Sequence, residues 1–106
     1  MARTLITAPS TARRGEAIVL RALLQHPMES GFRAGADGKV LARDIVRRFS
    51  CLYNGERVVA VEFFPAVAAN PYLEFSALAI DSGTLSFIWE GDNGFVHREQ
   101  RTISVA

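Results

Sequence analysis

The stretch DIVRRFSCLYNGERVVAVEFF, residues 44–64, has the pattern of two β-strands joined by a tight turn. Asn54-Gly55 suits a two-residue type I′ turn, because both central residues of that turn need positive φ. Such a turn pairs Cys51 with Val58, and the two-residue period of a strand then sorts the side chains into two faces. One face, expected to be core, holds Phe49, Cys51, Tyr53, Val58 and Ala60. The other, apolar enough to contact a partner, holds Ser50, Leu52, Arg57, Val59 and Val61.

Further strand patterns flank this hairpin and are separated by Gly, Pro, Asn and Asp. They are RTLITAP (3–9), GEAIVLRALLQ (15–25), PYLEFSALA (71–79), GTLSFIWEG (83–91) and FVHREQRTISV (95–105). The second is apolar on both faces, so we expect other elements to cover both. ADGKVLARDI (36–45) predicts a turn or a brief helical piece. About seven strands in one domain, residues 1–106, predict an all-β fold, an immunoglobulin-like β-sandwich.

Composition and charge exclude several classes of protein. Hydrophobic residues make up 49% of the 106 residues, which excludes a disordered chain. Lys and Arg number 12 against 11 Asp and Glu, and no basic cluster exceeds a pair, which argues against nucleic-acid binding. No segment approaches the roughly 18 consecutive apolar residues of a membrane helix. The first residues lack the apolar core of a secretory signal, so we expect no export signal of the chain's own.

The stretch HPMESGFR, residues 26–33, is the strongest candidate for chemistry. An imidazole and a thioether two residues apart can bind copper, and Cys51 supplies a thiol. Against this, Pro27 restricts His26 to an extended or turn conformation, which favours a histidine that bonds backbone groups at a strand end. Cys51 is expected in an apolar setting, as a small hydrophobic residue. We predict no catalytic residue, metal ligand or cofactor, and keep as the alternative a small thiol or copper protein using Cys51, His26 and Met28.

The link FFPAVAANPY, residues 63–72, also stands out. Pro65 and Pro71 bracket it, and proline cannot donate to a central ladder, so the link is not expected to continue a sheet. The small apolar side chains between them would form a smooth surface that loses little side-chain entropy on docking. These are Ala66, Val67, Ala68 and Ala69. The link therefore favours protein–protein packing over catalytic turnover.

Three blocks occur in a fixed order along nearly the whole chain. They are His26-Pro27-Met28-Glu29 with Gly31, then Phe49, Cys51, Asn54 and Gly55, then Asn70-Pro71-Tyr72. Together with SGTLSFIWEGDNG (82–94), they resemble the SoxZ family, the smaller subunit of the SoxYZ carrier of thiosulfate-oxidising bacteria. The resemblance implies an immunoglobulin-like sandwich that forms a heterodimer with SoxY.

The resemblance also implies where the chemistry resides. In this family the working thiol is a cysteine near the C-terminus of SoxY, which carries sulfur intermediates between Sox enzymes. Cys51 matches a strand position of the family, and the chain ends RTISVA with no such cysteine. The implied role is a non-catalytic scaffold that contacts other Sox enzymes transiently and reaches the periplasm by co-export with SoxY. We expect partner contacts from the loop, the hairpin and the link: His26, Pro27, Met28, Glu29, Gly31, Val59, Val61, Pro65, Asn70, Pro71 and Tyr72.

Overall fold

The computed structural model describes residues 3–65, 67 and 69–106, and within them the regular structure is almost entirely β-strand. The strands are β1 (Arg3–Thr7), β2 (Thr11–Ala12), β3 (Ala17–Gln25), β4 (Val46–Tyr53), β5 (Glu56–Glu62), β6 (Tyr72–Leu78), β7 (Gly83–Gly91) and β8 (Val96–Val105). A 3-10 turn, Asp92–Gly94, joins β7 to β8. None of the described residues belongs to a helix with the length and hydropathy needed to cross a bilayer.

Two sheets enclose one core, which confirms the predicted sandwich. The smaller sheet has the order β1-β3-β6 and the larger has the order β2-β8-β7-β4-β5. Trp89, Phe49 and Phe87 are the largest fully buried side chains, and the ring of Phe49 lies 5.0 Å from that of Trp89. Full burial of such a side chain contributes about 1.5–3 kcal/mol. The two-residue strand β2, which pairs in parallel with β8, was not predicted.

The predicted hairpin is confirmed at its turn but not along its length. Asn54 and Gly55 have φ of 50° and 84°, as a type I′ turn requires. A β-bulge then shifts the register, so that Cys51 pairs with Val59 instead of Val58. Because paired residues share a face, Val59 and Val61 point to the core and are half-buried. The predicted faces of β5 hold for Arg57, which is exposed, and Val58, which packs against the core, but are wrong beyond the bulge: Ala60 is exposed opposite Ser50, and Val59 and Val61 do not face outward.

Within this chain β3 is covered on one face only, whereas the sequence predicts that both faces are covered. Its even-numbered residues from Ile18 to Leu24 are buried, but the other face is open and Val19 is 43% exposed. Antiparallel sheets, unlike parallel ones, can leave one face to water. Both sequence faces of β3 are apolar, so the sequence alone did not reveal that one of them stays exposed.

Residues 26–45 form a long loop between β3 and β4, folded into an irregular hairpin by two isolated bridges, Glu29–Asp44 and Ala34–Val40. The N–H of Gly35 donates to the carbonyl of Lys39 at 2.7 Å, which confirms the predicted turn in this segment. The molecule is elongated, with extents of 58 × 20 × 20 Å.

Candidate functional site

Two motifs that stood out in the sequence meet at one end of the sandwich, here called the loop end (residues 26–33, 43–46, 70 and 91–95). The N–H of His26 donates to Asn70 Oδ1 at 2.9 Å, and the N–H of Asn70 donates to the carbonyl oxygen of His26 at 2.8 Å. Asn70 has φ of 56°, a left-handed conformation that asparagine tolerates better than most residues. This reciprocal pair joins the exit of β3 to the entry of β6.

The side chains of His26 and Met28 are buried and accept hydrogen bonds from backbone N–H groups of the loop and of β4. His26 is 6% exposed, its Nδ1 accepts the N–H of Met28 at 3.0 Å, and its ring packs edge-on against Phe95. Met28 is 5% exposed, and its Sδ accepts the N–H of Val46 at 3.2 Å. A thioether is a weak acceptor, but a buried N–H with no partner costs about 1–3 kcal/mol. Imidazole and thioether therefore both satisfy backbone donors.

Asp92 ties the loop to the turn between β7 and β8. Its carboxylate accepts two hydrogen bonds from the guanidinium of Arg43, at 2.9 and 3.0 Å, and one from the N–H of Ile45 at 3.2 Å. Arg47 Nε lies 3.9 Å from the same carboxylate. Desolvation of the carboxyl opposes its ionisation, but the hydrogen bonds from Arg43 and Ile45 and the charges of the arginines outweigh it. The pKa of Asp92 is therefore below its ordinary value.

Glu29 holds the base of the loop. Its backbone exchanges two hydrogen bonds with Asp44, each 2.8 Å, and its Oε1 accepts a hydrogen bond from Arg33 Nη2 at 2.7 Å. The hydrogen bond from Arg33 lowers the pKa of Glu29. Gly31 packs closely on Arg43, since an added Cβ would lie 3.1 Å from the Arg43 Cβ. The base of the loop is thus fixed by backbone hydrogen bonds, an ion pair and close packing on Arg43.

Large apolar side chains are exposed beyond this base. Phe32, Val40 and Phe64 are 85%, 65% and 63% exposed. A cleft of about 390 Å³ lies on the same side of the molecule as Phe64 and carries charges of both signs. Its lining includes Arg43, Arg47, Arg48, Glu62, Glu90, Phe63 and Phe64. Exposed aromatic side chains beside arginine are typical of protein contact surfaces.

The predicted partner-binding residues are not gathered on one surface. His26, Met28 and Pro71 are buried; Glu29, Gly31, Val59, Val61 and Pro65 are half-buried; Pro27, Asn70 and Tyr72 are exposed. The buried side chains act within the chain, and partner binding by this set stays a prediction. Ala66 and Ala68 of the predicted apolar link lie outside the described residues.

Sequence reasoning missed the pairing of Asp92 with Arg43. The two residues are 49 positions apart, and each stands in a segment that reads only as a loop or turn. The sequence Asp92-Asn93-Gly94 is typical of a turn and so places Asp92 in one, but it does not indicate which residue Asp92 binds. No local signal could have identified this contact.

The structure gives little support to a reactive thiol at Cys51 or to copper binding by His26 and Met28. Cys51 is fully buried between β5 and β7, and burial raises the pKa of its thiol to about 12. A reactive cysteine needs an accessible thiolate. Nδ1 of His26 and Sδ of Met28, which would be copper ligands, already accept backbone hydrogen bonds. Within residues 3–65, 67 and 69–106, no three His, Cys, Asp or Glu side chains cluster as a metal site would require.

Solved structures share this fold at low sequence identity. A superoxide reductase (neelaredoxin) from Ignicoccus hospitalis matches with a TM-score of 0.71 and 17% identity over 97% of this chain and 80% of its own. The sulfur carrier protein SoxY from Chlorobium limicola f thiosulfatophilum matches with a TM-score of 0.68 and 15% identity over 97% of this chain and 78% of its own. A putative superoxide reductase from Thermotoga maritima matches with a TM-score of 0.65 and 15% identity over 97% and 85% of the two chains. At such identities the likeness concerns the fold alone.

Sequence comparison identifies the family. No curated protein is detectably similar to the chain in sequence. The family model described as sulphur oxidation protein SoxZ matches residues 6–102, nearly the whole chain. The match spans the loop end and every strand from β3 to β7, so the histidine, methionine and asparagine contacts described above lie inside it. The chain belongs to the SoxZ family of sulphur oxidation proteins.

Proposed function

We propose that this protein is a non-catalytic scaffold subunit of a sulfur-oxidation carrier complex. It forms a heterodimer with a SoxY protein, whose C-terminal cysteine carries covalent sulfur intermediates between Sox enzymes. The observation that carries this proposal is the SoxZ family match over residues 6–102. The partner holds the reacting atom, and this chain supplies a rigid platform that also makes transient contacts with other Sox enzymes.

The burial and the raised pKa of Cys51 support the proposal that SoxY, and not this chain, carries the sulfur intermediates. A sulfur carrier needs a thiolate that reaches a second protein, whereas Cys51 has no exposed surface and a pKa near 12. At neutral pH such a thiol is almost wholly protonated and lies behind the neighbouring strands. The chain therefore needs a partner to supply the carrier cysteine.

Exposed apolar side chains support the proposal that the chain binds another protein. Large apolar side chains exposed to water include Leu5, Phe32, Phe64, Tyr72 and Leu78, each more than half exposed. Exposed apolar surface on a small protein typically marks a contact with another protein. We further propose that the heterodimer works in the periplasm, exported on the signal of SoxY.

Co-expression with SoxY from the same bacterium tests the proposal. With only SoxY tagged, this chain should co-purify in a 1:1 complex. After incubation with thiosulfate and the other Sox enzymes, intact-mass measurement should find sulfur adducts on SoxY and none on this chain. The matched variant Cys51→Ala should pair and support sulfur loading as the wild type does.

Two results would contradict the proposal. One is a chain that stays a monomer in the presence of folded SoxY. The other is a sulfur adduct on Cys51, or rapid labelling of Cys51 by a thiol reagent in the folded protein, which would favour the thiol alternative.

A further inference from the structure

Two asparagine–glycine pairs lie in tight turns of this chain. Asn54-Gly55 joins β4 to β5, and Asn93-Gly94 belongs to the 3-10 turn between β7 and β8. Both asparagines are exposed and have left-handed φ values, 50° and 59°, and the glycines that follow them have φ of 84° and 74°. The two pairs are therefore alike in sequence, in exposure and in φ, and each serves as a control for the other.

An asparagine that precedes glycine is open to deamidation without an enzyme. The peptide nitrogen of the glycine attacks Cγ of the asparagine, ammonia leaves, and water opens the resulting succinimide ring to aspartate or isoaspartate. One water is consumed and one ammonia is released, with no oxidant or reductant. Glycine has no side chain to hinder the attack. The remaining asparagine, Asn70, precedes Pro71, whose nitrogen carries no hydrogen and cannot close this ring.

The side chains of the two candidate asparagines are held differently. Asn54 Oδ1 accepts the N–H of Thr84 at 2.9 Å, and Asn54 Nδ2 donates to the carbonyl oxygen of Ser82 at 3.3 Å. Within the part of the chain that the structure describes, the side chain of Asn93 makes one hydrogen bond, from Nδ2 to Asp44 Oδ1 at 3.4 Å. Ring closure requires the side chain to leave its contacts and turn Cγ towards the next peptide nitrogen. That movement breaks two hydrogen bonds at Asn54 and a single long one at Asn93.

We propose that Asn93 is a site of spontaneous deamidation, and that its conversion to an acid loosens the loop end. Deamidation replaces the donor Nδ2, which lies 3.4 Å from the Asp44 carboxylate, by a negatively charged oxygen. An attractive contact thereby becomes a repulsion between like charges. Asp44 exchanges two backbone hydrogen bonds with Glu29 at the base of the loop, so a displacement of Asp44 disturbs the loop.

The main chain next to Asn93 adds a second effect. The N–H of Asp92 donates to the carbonyl oxygen of Ile45 at 2.9 Å, and the carboxylate of Asp92 binds Arg43. Isoaspartate places its side-chain carbon in the main chain, which lengthens the turn directly after Asp92. Both products of deamidation therefore act on contacts that join this turn to the loop.

Peptide mass spectrometry measures both asparagines in one sample. The folded protein is incubated at mildly alkaline pH and then digested. The peptide containing Asn93 should gain the mass of deamidation, about one dalton, about 10-fold faster than the peptide containing Asn54, because Asn54 must break more hydrogen bonds to react. In protein unfolded by guanidinium the two rates should agree within about 3-fold. Equal rates in the folded protein, a faster rate at Asn54, or no reaction at Asn93 would overturn the site.

Substitutions test the consequence for the loop end. Asn93→Asp carries the charge of the product, and Asn54→Asp is the matched control in the other turn. Hydrogen exchange of the Glu29 N–H, which donates to the Asp44 carbonyl oxygen, should be about 5-fold faster in Asn93→Asp than in wild type and within about 2-fold of wild type in Asn54→Asp. In an Asp44→Asn background, Asn93→Asp should have no effect, because the repulsion needs both charges. Unchanged exchange in Asn93→Asp, or the same acceleration without the Asp44 charge, would overturn the proposed loosening.

Discussion

The two ends of strand β7 are each closed by a glycine, but the glycines meet different neighbours. A Cβ added at Gly83 would overlap the side-chain oxygen of Asn54. A Cβ added at Gly91 would lie 2.5 Å from the backbone carbonyl oxygen of Ile45 and 3.0 Å from the Cα of Val46. The first neighbour is a side chain that can rotate away. The second is main chain and cannot move without shifting β4.

The difference reflects how each end is assembled. At the end that we call the turn end (residues 53–55 and 81–84), Asn54 Oδ1 accepts the N–H of Thr84 at 2.9 Å across neighbouring strands. At the loop end, Asp92 and Met28 bind atoms of a loop and strand that are far away in sequence. At the turn end, the side chains of Tyr53 and Asn54 contact a single other segment, residues 80–84, whereas the loop end depends on several segments meeting at once. Substitutions at the loop end should therefore lower the free energy of unfolding more than substitutions at the turn end.

The largest effect should come from truncating Met28. Met28→Ala leaves a cavity under the loop and removes the acceptor of the Val46 N–H, so the free energy of unfolding should fall by about 4 kcal/mol. Met28→Leu keeps most of the volume and removes only the acceptor, so it should cost about 1.5 kcal/mol. Urea denaturation followed by tryptophan fluorescence measures both. Equal losses for the two variants would show that volume has no part in supporting the loop.

The two glycines give the most direct test of the comparison. Gly91→Ala forces a Cβ against main chain and should lower the free energy of unfolding by about 3 kcal/mol. Gly83→Ala should cost about 1.5 kcal/mol, because the Asn54 side chain can turn away at the loss of its hydrogen bonds. The same denaturation measurement compares them. A larger loss at Gly83 than at Gly91 would invert the comparison.

Substitutions at Asn54 test the contacts of the turn end. Asn54→Ala should cost about 2 kcal/mol, because alanine keeps the strained φ of 50° and lacks the hydrogen bonds to Thr84 and Ser82. Asn54→Gly relieves the strain and should cost about 1 kcal/mol. When either Asn54 substitution is combined with Gly83→Ala, the Asn54 side chain that would overlap the new Cβ is absent. The loss in unfolding free energy of the double variant should therefore be smaller than the sum of the two single losses. Strict additivity would show that Asn54 and Gly83 are not in contact.

The same contrast explains what could be predicted from the sequence. The type I′ turn, the strand positions and the buried Cys51 follow from local φ preferences and two-residue alternation, and all three are confirmed. The β-bulge that turns Val59 inward leaves no mark in an unbroken apolar run. The family blocks around His26 and Asn70 were recognised, but their mutual hydrogen bonds depend on chain closure over 44 positions. Local patterns therefore located the turn end, and only tertiary contacts define the loop end.

The smallest effect, and the most specific to the loop end, is the pH dependence contributed by Asp92. Its folded pKa lies below the ordinary value of 3.8, so its stabilisation is present above that pH and is lost as pH falls through the folded pKa. Asp92→Asn keeps an acceptor for the Ile45 N–H but loses the charge facing Arg43. The gap in unfolding free energy between wild type and Asp92→Asn should be constant from about pH 5 to 7 and should close below about pH 4.

The neighbouring groups do not obscure this readout. Arg43, Arg47, Asp44 and His26, whose Nε2 lies 4.0 Å from Asp44, are the same in both proteins, so their contributions cancel in the difference. The gap between wild type and Asn54→Ala should stay flat over the same range, because Asn54 does not titrate. A gap for Asp92→Asn that persists unchanged to about pH 2.5 would mean that the carboxylate charge does not hold the loop, and that the loop end is maintained by packing and neutral hydrogen bonds, as the turn end is.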